Sequence, residues 1–462
     1  MAKLNASWRA TAALVAVSLL VAACGTASTA PTAAPTSAPA TVAPTTAAAT
    51  VAPTTAPATA APTTVAATAA PTTAAATEAP TAAASATTAP TTAAAFVSKP
   101  SGKVAPSGFA CPEPQTKATL TSTELNLFVW TAYIPQDIID CFQLVYGIKV
   151  NKEEYSANEE MYAKLSKSSV AYDLVQPTNN FVALLQRQNL IQKLDKSKLS
   201  IMSFFAPTSL NLPYDPNNVY TVPYEAGTDG IVYNSDQVQN PPTSYADLWK
   251  PEYKGNNMVM LDGADDIIGA TLLGLGYDVN SKDPKQLDEA KAKLLALRPS
   301  IKVFDSNSPK TPLISGDAVL GVVWTGDVFL AAQQNPAIKY VYPSEGVILW
   351  QDNYAIPTVA THLDAAYAFL NYNYQPDLFW LETRDWPYTN PDQAALDWGK
   401  ANSIPTKDAN GNDTTSDKII DAYFASPITN TPADAFKAGH WMQEKGDAAP
   451  LWDQIWTEVK GK

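Results

Sequence analysis

From Leu125 to Pro357 the apolar residues fall by turns into runs of strand length and into stripes of helical spacing. "LNLFVW" is a strand-length run, and "PQDIIDCFQLVYG" places Ile138, Ile139, Phe142 and Tyr146 on one helical face before stopping at Gly147. "IKVNKEEY" then predicts a strand, "SANEEMYAKLSK" a helix and "YDLVQP" a strand. Further on, "DDIIGATLLGLG" and "KQLDEAKAKLLAL" predict helices, while "AVLGVVW" and "VILWQDNYAIP" predict strands that are apolar almost throughout. Such strands are buried on both faces, so the pattern predicts an α/β fold with parallel or mixed sheets covered by helices. About 350 residues follow this alternation, more than one core usually accommodates, which predicts two lobes.

The first part of the chain has neither period. From Gly25 to Ala95 it holds Ala, Thr, Pro, Val, Ser, one Gly and the single charged residue Glu78. A segment with so little to bury predicts a disordered, semi-rigid stalk, with the linker assigned to residues 24–108 and folding expected from about Phe96. Ahead of it, Lys3 and Arg9 precede the apolar run "TAALVAVSLLVAAC", too short to span a membrane and of the right length for a secretory signal over residues 1–23. "VAAC" resembles a bacterial lipobox. That implies a lipid anchor at Cys24 and a protein held at the outer face of the cytoplasmic membrane; an ordinary cleaved signal with an incidental cysteine is the plainer reading.

Charge and cysteine content narrow the classes. The chain carries −13; Lys3, Arg9, Lys99 and Lys103 against Glu78 leave its first 108 residues at +3, so the remainder carries −16. An acidic domain excludes nucleic acid as a natural partner and suits a cation. With Cys24 set aside, the pair Cys111 and Cys141 is a candidate disulfide in an oxidising compartment, two separate thiols being the alternative. His362 and His440 have no metal-ligand spacing, and neither H-E-x-x-H nor G-x-S-x-G is present, so neither a metal, a cofactor nor an enzyme is expected.

"MYAKL", "NLIQKLDKSKL", "DPNNVYTVPYEAGTDGIVYNSD", "YADLWKPEYKG" and "PSEGVILWQDNYAIP", in this order between about Leu125 and Asp392, resemble the polyamine (spermidine/putrescine) binding proteins of bacterial ABC importers. The resemblance implies a two-lobe periplasmic-binding-protein-like fold of type II with a ligand cleft between the lobes, working as a monomer with ABC permease subunits as partners. The expected division is 109–228 in lobe 1, 229–350 in lobe 2, 351–390 returning to lobe 1, and 391–462 mainly in lobe 2. A polyamine needs flat apolar walls for its methylenes and carboxylates for its ammonium groups. The family pattern puts the walls on Trp130, Tyr133, Trp324, Trp350 and Trp386, with Trp324 and Trp350 each ending an apolar strand. Thr131 and Thr178 fall on positions for a hydroxyl acceptor, and Asn180 replaces what is often a cleft aromatic. The acids fall on Asp266, Asp327 and Asp352.

Two family acids are missing, at Ala132 and Gly263, while Asp327 after "WTG" follows the putrescine-type pattern. The expectation is therefore a diamine in preference to spermidine, with Asp265, Asp229 and Glu225 as possible replacements for the missing carboxylates. Met442 stands where a Gln would be expected and is left outside the site. The rival readings are a sugar, polyol or cationic amino-acid-like solute on the same fold, and, more remotely, a glycoside hydrolase using two of the aspartates.

Overall fold

The computed structural model describes residues 96–167, 171–255 and 257–461; Cys24 and the stalk lie outside them. The folded part begins with a hairpin in which β1 (Pro100–Val104) pairs antiparallel with β2 (Ala110–Pro112). This corrects the linker boundary expected at residue 108. The turn at Ala105–Gly108 supplies local backbone bonds, Ser107 Oγ bonds to Asp137, and a disulfide joins Cys111 to Cys141, so a strand of mostly exposed residues is held by its ends.

The first lobe follows as β3 (Glu124–Trp130), α1 (Gln136–Tyr146), β4 (Lys149–Tyr155), α2 (Asn158–Lys167), β5 (Leu174–Val175) and α3 (Asn179–Arg187). β3 lies between β4 and β5, parallel to both, and runs in unbroken register with β4 from Glu124 opposite Lys149 to Trp130 opposite Tyr155. β6 (Thr221–Asn234) then crosses to the second lobe. That lobe contains β7 (Met258–Met260), α4 (Ala264–Gly274), α5 (Pro284–Leu297), β8 (Ile301–Phe304), α6 (Lys310–Ser315), β9 (Leu320–Trp324), α7 (Thr325–Gln334) and β10 (Ile338–Val341). β11 (Ile348–Ala355) returns antiparallel to β6 and reaches β5. One 10-stranded mixed sheet results, in the order β4-β3-β5-β11-β6-β9-β7-β8, with β10 beside β6. β11 is buried along its whole length, as its two-faced apolar pattern predicts.

Helices α8 (Leu363–Asn373) and α9 (Pro376–Asp385) return to the first lobe, where Phe369 meets Phe142 of α1 edge-on at 5.2 Å. The expectation that residues 391–462 sit mainly in lobe 2 needs correcting. α10 (Gln393–Asn402), the hairpin of β12 (Pro405–Lys407) and β13 (Asp413–Thr415), and α11 (Ser416–Ala425) form a layer on α9. Gly399 lies against Trp380 of α9, and the Ala206 N–H donates to Pro391 O at 2.8 Å. The later part reaches further into lobe 2. After α12 (Ala433–Ala438), β14 (His440–Trp441) pairs with β11, and α13 (Ala449–Lys460) covers α4 and α5 with Trp452 buried beneath it. No helix among the described residues is long and apolar enough to cross a membrane.

Candidate functional site

Where the strands of both lobes end, the chain leaves an open cleft of about 920 Å³, and every site residue predicted above lines it: Trp130, Thr131, Tyr133, Thr178, Asn180, Asp266, Trp324, Asp327, Trp350, Asp352 and Trp386. Trp130 closes β3, with its ring 4.7 Å from that of Tyr155. The strand is capped there by the Thr131 N–H donating to Tyr155 O, and the backbone then turns through Ala132 at φ +50°, a conformation unfavourable for a side chain with a Cβ. That turn carries Tyr133 inward, where its ring meets the edges of Tyr224 and Tyr388 at 5.1 and 5.8 Å.

Trp324 ends β9 as expected. Trp350 does not end its strand: it is the third residue of β11, which continues to Ala355. Its indole lies across β6 at Gly227, where a Cβ would meet Trp350 Cζ2 at 2.3 Å. The glycine is what lets a large ring lie flat on a neighbouring strand.

Two acidic poles stand among these rings. Asp352 sits at the register shift between Gln351 and Asn353 of β11 and bridges to Thr178, whose hydroxyl donates to its Oδ1 at 2.5 Å. Burial pushes its carboxyl up to about 7, against the pull of the Thr178, Tyr133 and Trp130 donors. Trp130 Nε1 and Tyr133 Oη are themselves buried and find no hydrogen-bond partner in ideal geometry among the described residues.

The second pole is a carboxylate pair. Asp229, fully buried on β6, accepts the Trp350 indole N–H at 2.8 Å through Oδ1, while its Oδ2 has no hydrogen-bond partner of good geometry among the described residues. Asp266 in the first turn of α4 adjoins it. Burial raises both carboxyls and the Asp266 charge raises Asp229 further, so the pair disfavours carrying two negative charges at once. Gly263 makes the space for Asp266: a Cβ there would lie 1.7 Å from Asp266 Oδ2. The missing acid at 263 and the acid present at 266 are thus one arrangement. Of the replacements considered, Asp229 joins this pole and Asp265 lines the cleft, whereas Glu225 is buried behind it with no partner for its carboxylate among the described residues.

Asp327 lines the cleft but is not an open carboxylate. Lys310 Nζ lies 3.0 Å from its Oδ1 and Tyr388 Oη donates to its Oδ2 at 2.8 Å. Asn180 is likewise engaged, donating from α3 of the first lobe to Asp265 of α4 in the second, and Lys445 Nζ stands 3.5 Å from Asp265. Arg187 of α3 pairs with Glu444 nearby, and Asn179 Nδ2 donates to Met442 O at 2.7 Å. Met442, set aside on sequence, lines the cleft. Tyr388 was missed too; its place two residues after Trp386 was the available signal. Nothing local marked Lys310.

Residues 137–407 match the family described as bacterial extracellular solute-binding protein. The chain belongs to that family. Among its relatives, the solute-binding protein of Escherichia coli strain K12 called spermidine/putrescine-binding periplasmic protein is 35% identical over 339 residues, covering 73% of this chain and 91% of the relative. Of solved solute-binding proteins, the spermidine/putrescine ABC transporter substrate-binding protein PotD from Streptococcus pneumoniae aligns with a TM-score of 0.58 at 29% identity, covering 74% of this chain and 99% of that one. The TpPotD lipoprotein of Treponema pallidum aligns at 0.60 and 26% identity, covering 73% of this chain and 100% of that one. The periplasmic-binding-protein-like fold follows, and the family is one of solute-binding proteins of ABC transporters, not of enzymes.

Proposed function

We propose that this solute-binding protein captures a polyamine outside the cytoplasm, a putrescine-like diamine in preference to spermidine, and delivers it to an ABC importer while anchored through a lipidated Cys24. The observation that carries this reading is a cleft with two acidic poles, Asp352 and the pair Asp229–Asp266, set among Trp130, Trp324, Trp350 and Trp386. Indole faces accept methylene groups and attract cations, and an ammonium gives each buried carboxyl pole a counter-charge. A diamine supplies one ammonium to each pole. A triamine brings a third, for which Asp327 is already taken and Asp265 is shared with Lys445 and Asn180. An ammonium buried without a partner is disfavoured.

The relatives' names support the solute class, and the lipobox-like "VAAC" supports the anchor. Titration calorimetry with putrescine, spermidine, a sugar and a basic amino acid tests the ligand. Putrescine is expected to bind most tightly; a sugar bound in its place would move the reading to the rival solute. Cys24→Ala is expected to shift the protein from the membrane fraction to soluble or precursor forms, and unchanged membrane retention would reject the anchor.

A further inference from the structure

We propose that Lys310 is a built-in cation that occupies a third ammonium subsite, between Asp327 and Trp386, and so limits the cleft to ligands with two ammonium groups. The inference rests on the polyamine reading above and deepens it.

Lys310 opens α6, a helix of one to two turns, where a positive charge is unfavourable because the free N–H groups of a helix start already carry positive potential. Helix stability does not account for a lysine there. Its side chain instead reaches the cleft wall. The ammonium lies 3.0 Å from Asp327 Oδ1 and 5.3 Å from the centre of the Trp386 ring. A carboxylate on one side and an indole face on the other is the recognition that a ligand ammonium needs. Here the protein's own side chain receives it, with Lys310 about 20% exposed and Asp327 about 6%. Tyr388 takes the second oxygen of Asp327 and packs its ring 5.3 Å from that of Trp350, so the lysine's subsite joins the wall of the ligand cleft.

A third ammonium arriving at this corner must either displace Lys310 or remain unpaired, and in both cases one cation loses its carboxylate in a partly buried setting. A diamine that uses only the other two poles never meets this conflict. The lysine therefore acts on selectivity and not on the strength of binding as such, which separates this role from that of a plain ion pair fastening α6 to α7.

The test is calorimetry with putrescine and spermidine on the full chain, comparing wild type, Lys310→Met, Lys310→Gln and the double variant Lys310→Met with Asp327→Asn. Met keeps the length and apolar stem of the lysine, Gln keeps a polar head, and melting temperature verifies that each is folded. Removing the lysine charge is expected to raise spermidine affinity by about tenfold or more while leaving putrescine within about threefold. The double variant is expected to lose that gain, because the vacated carboxylate is gone. A spermidine-to-putrescine ratio unchanged in both single variants would overturn the role of Lys310 and leave the polyamine reading standing. Binding of neither amine by wild type or variants would overturn both.

Discussion

The indole N–H of Trp350 donates to Asp229 Oδ1 at 2.8 Å, tying a wall of the cleft to a fully buried carboxylate. The same bond fixes the ring across Gly227 and holds Asp229 beside Asp266. Wall and charge are thus set by one contact.

Asp229→Asn keeps an acceptor for the indole and removes a charge whose burial is unfavourable. Diamine affinity is expected to fall by about 1 to 3 kcal/mol, while the melting temperature of the free protein at pH 8 is expected to hold or rise. A variant that lost stability but kept affinity would make Asp229 a structural residue only.

Asp352→Ala leaves one ligand ammonium desolvated and unpaired. The expected loss is about 2 to 5 kcal/mol, or about thirty-fold to a few thousand-fold in affinity, with calorimetry as the readout. A loss below about threefold would place the ammonium elsewhere.

The elevated carboxyl of Asp352 predicts that the stability of the free protein and its affinity for an ammonium ligand depend on pH with opposite sign. Its folded value of about 7 exceeds the ordinary Asp value, so the native state binds the extra proton between about pH 4 and 7. Stability of the free protein through this group therefore falls as pH rises across that window. An ammonium ligand draws the value back down, and its affinity rises over the same range. The melting-temperature gap between putrescine-saturated and free protein is expected to widen from pH 5 to pH 8; a constant gap would mean that Asp352 is ionised without ligand.

Gly227→Ala tests the wall while keeping every carboxylate of the cleft in the sequence, acting at the ring that Asp229 holds. The added Cβ must displace the Trp350 ring, costing about 1 to 3 kcal/mol of stability and at least about tenfold in diamine affinity. Retained affinity in the folded variant would show that the indole can move and still serve.

Loss of the Cys111–Cys141 bond should act away from the cleft, which neither cysteine lines. Replacing both cysteines with Ser is expected to lower stability by about 2 to 4 kcal/mol and to expose the hairpin of β1 and β2 to protease, with affinity unchanged. An affinity loss would couple the entry hairpin to the cleft.

The periodic elements were legible because burial on two faces leaves long apolar runs: β9, β11 and α4 stand where "AVLGVVW", "VILWQDNYAIP" and "DDIIGATLLGLG" predicted. β5 spans only Leu174–Val175; Asp173 before it still donates its backbone N–H to Asn126 O at 2.8 Å, while its carboxylate accepts from the Asn126 and His362 N–H groups. The cleft lining was legible through the resemblance, which located its tryptophans and aspartates together. What could not be read was which carboxylates the protein satisfies for itself. Lys310 is distant in sequence from Trp386, and only the packing of α6 against α7 brings its ammonium to Asp327. The placement of α10 and α11 failed for a similar reason: Leu396, Ile420 and Tyr423 pack on one another and Gly399 lies against Trp380 of α9, partners that periodicity does not name.

The register shift in β11 puts Asp352 on one of the two long strands that run through both lobes. A flexible loop joining the lobes would let them swing independently of what the cleft contains. Paired strands instead behave as a leaf spring, and the irregular step in the pairing is where such a spring bends most easily. The carboxylate is mounted on that bending point. A solute's ammonium at Asp352 is therefore expected to act on the strands that both lobes share, and small-angle scattering of free and putrescine-saturated protein checks whether the angle between the lobes changes.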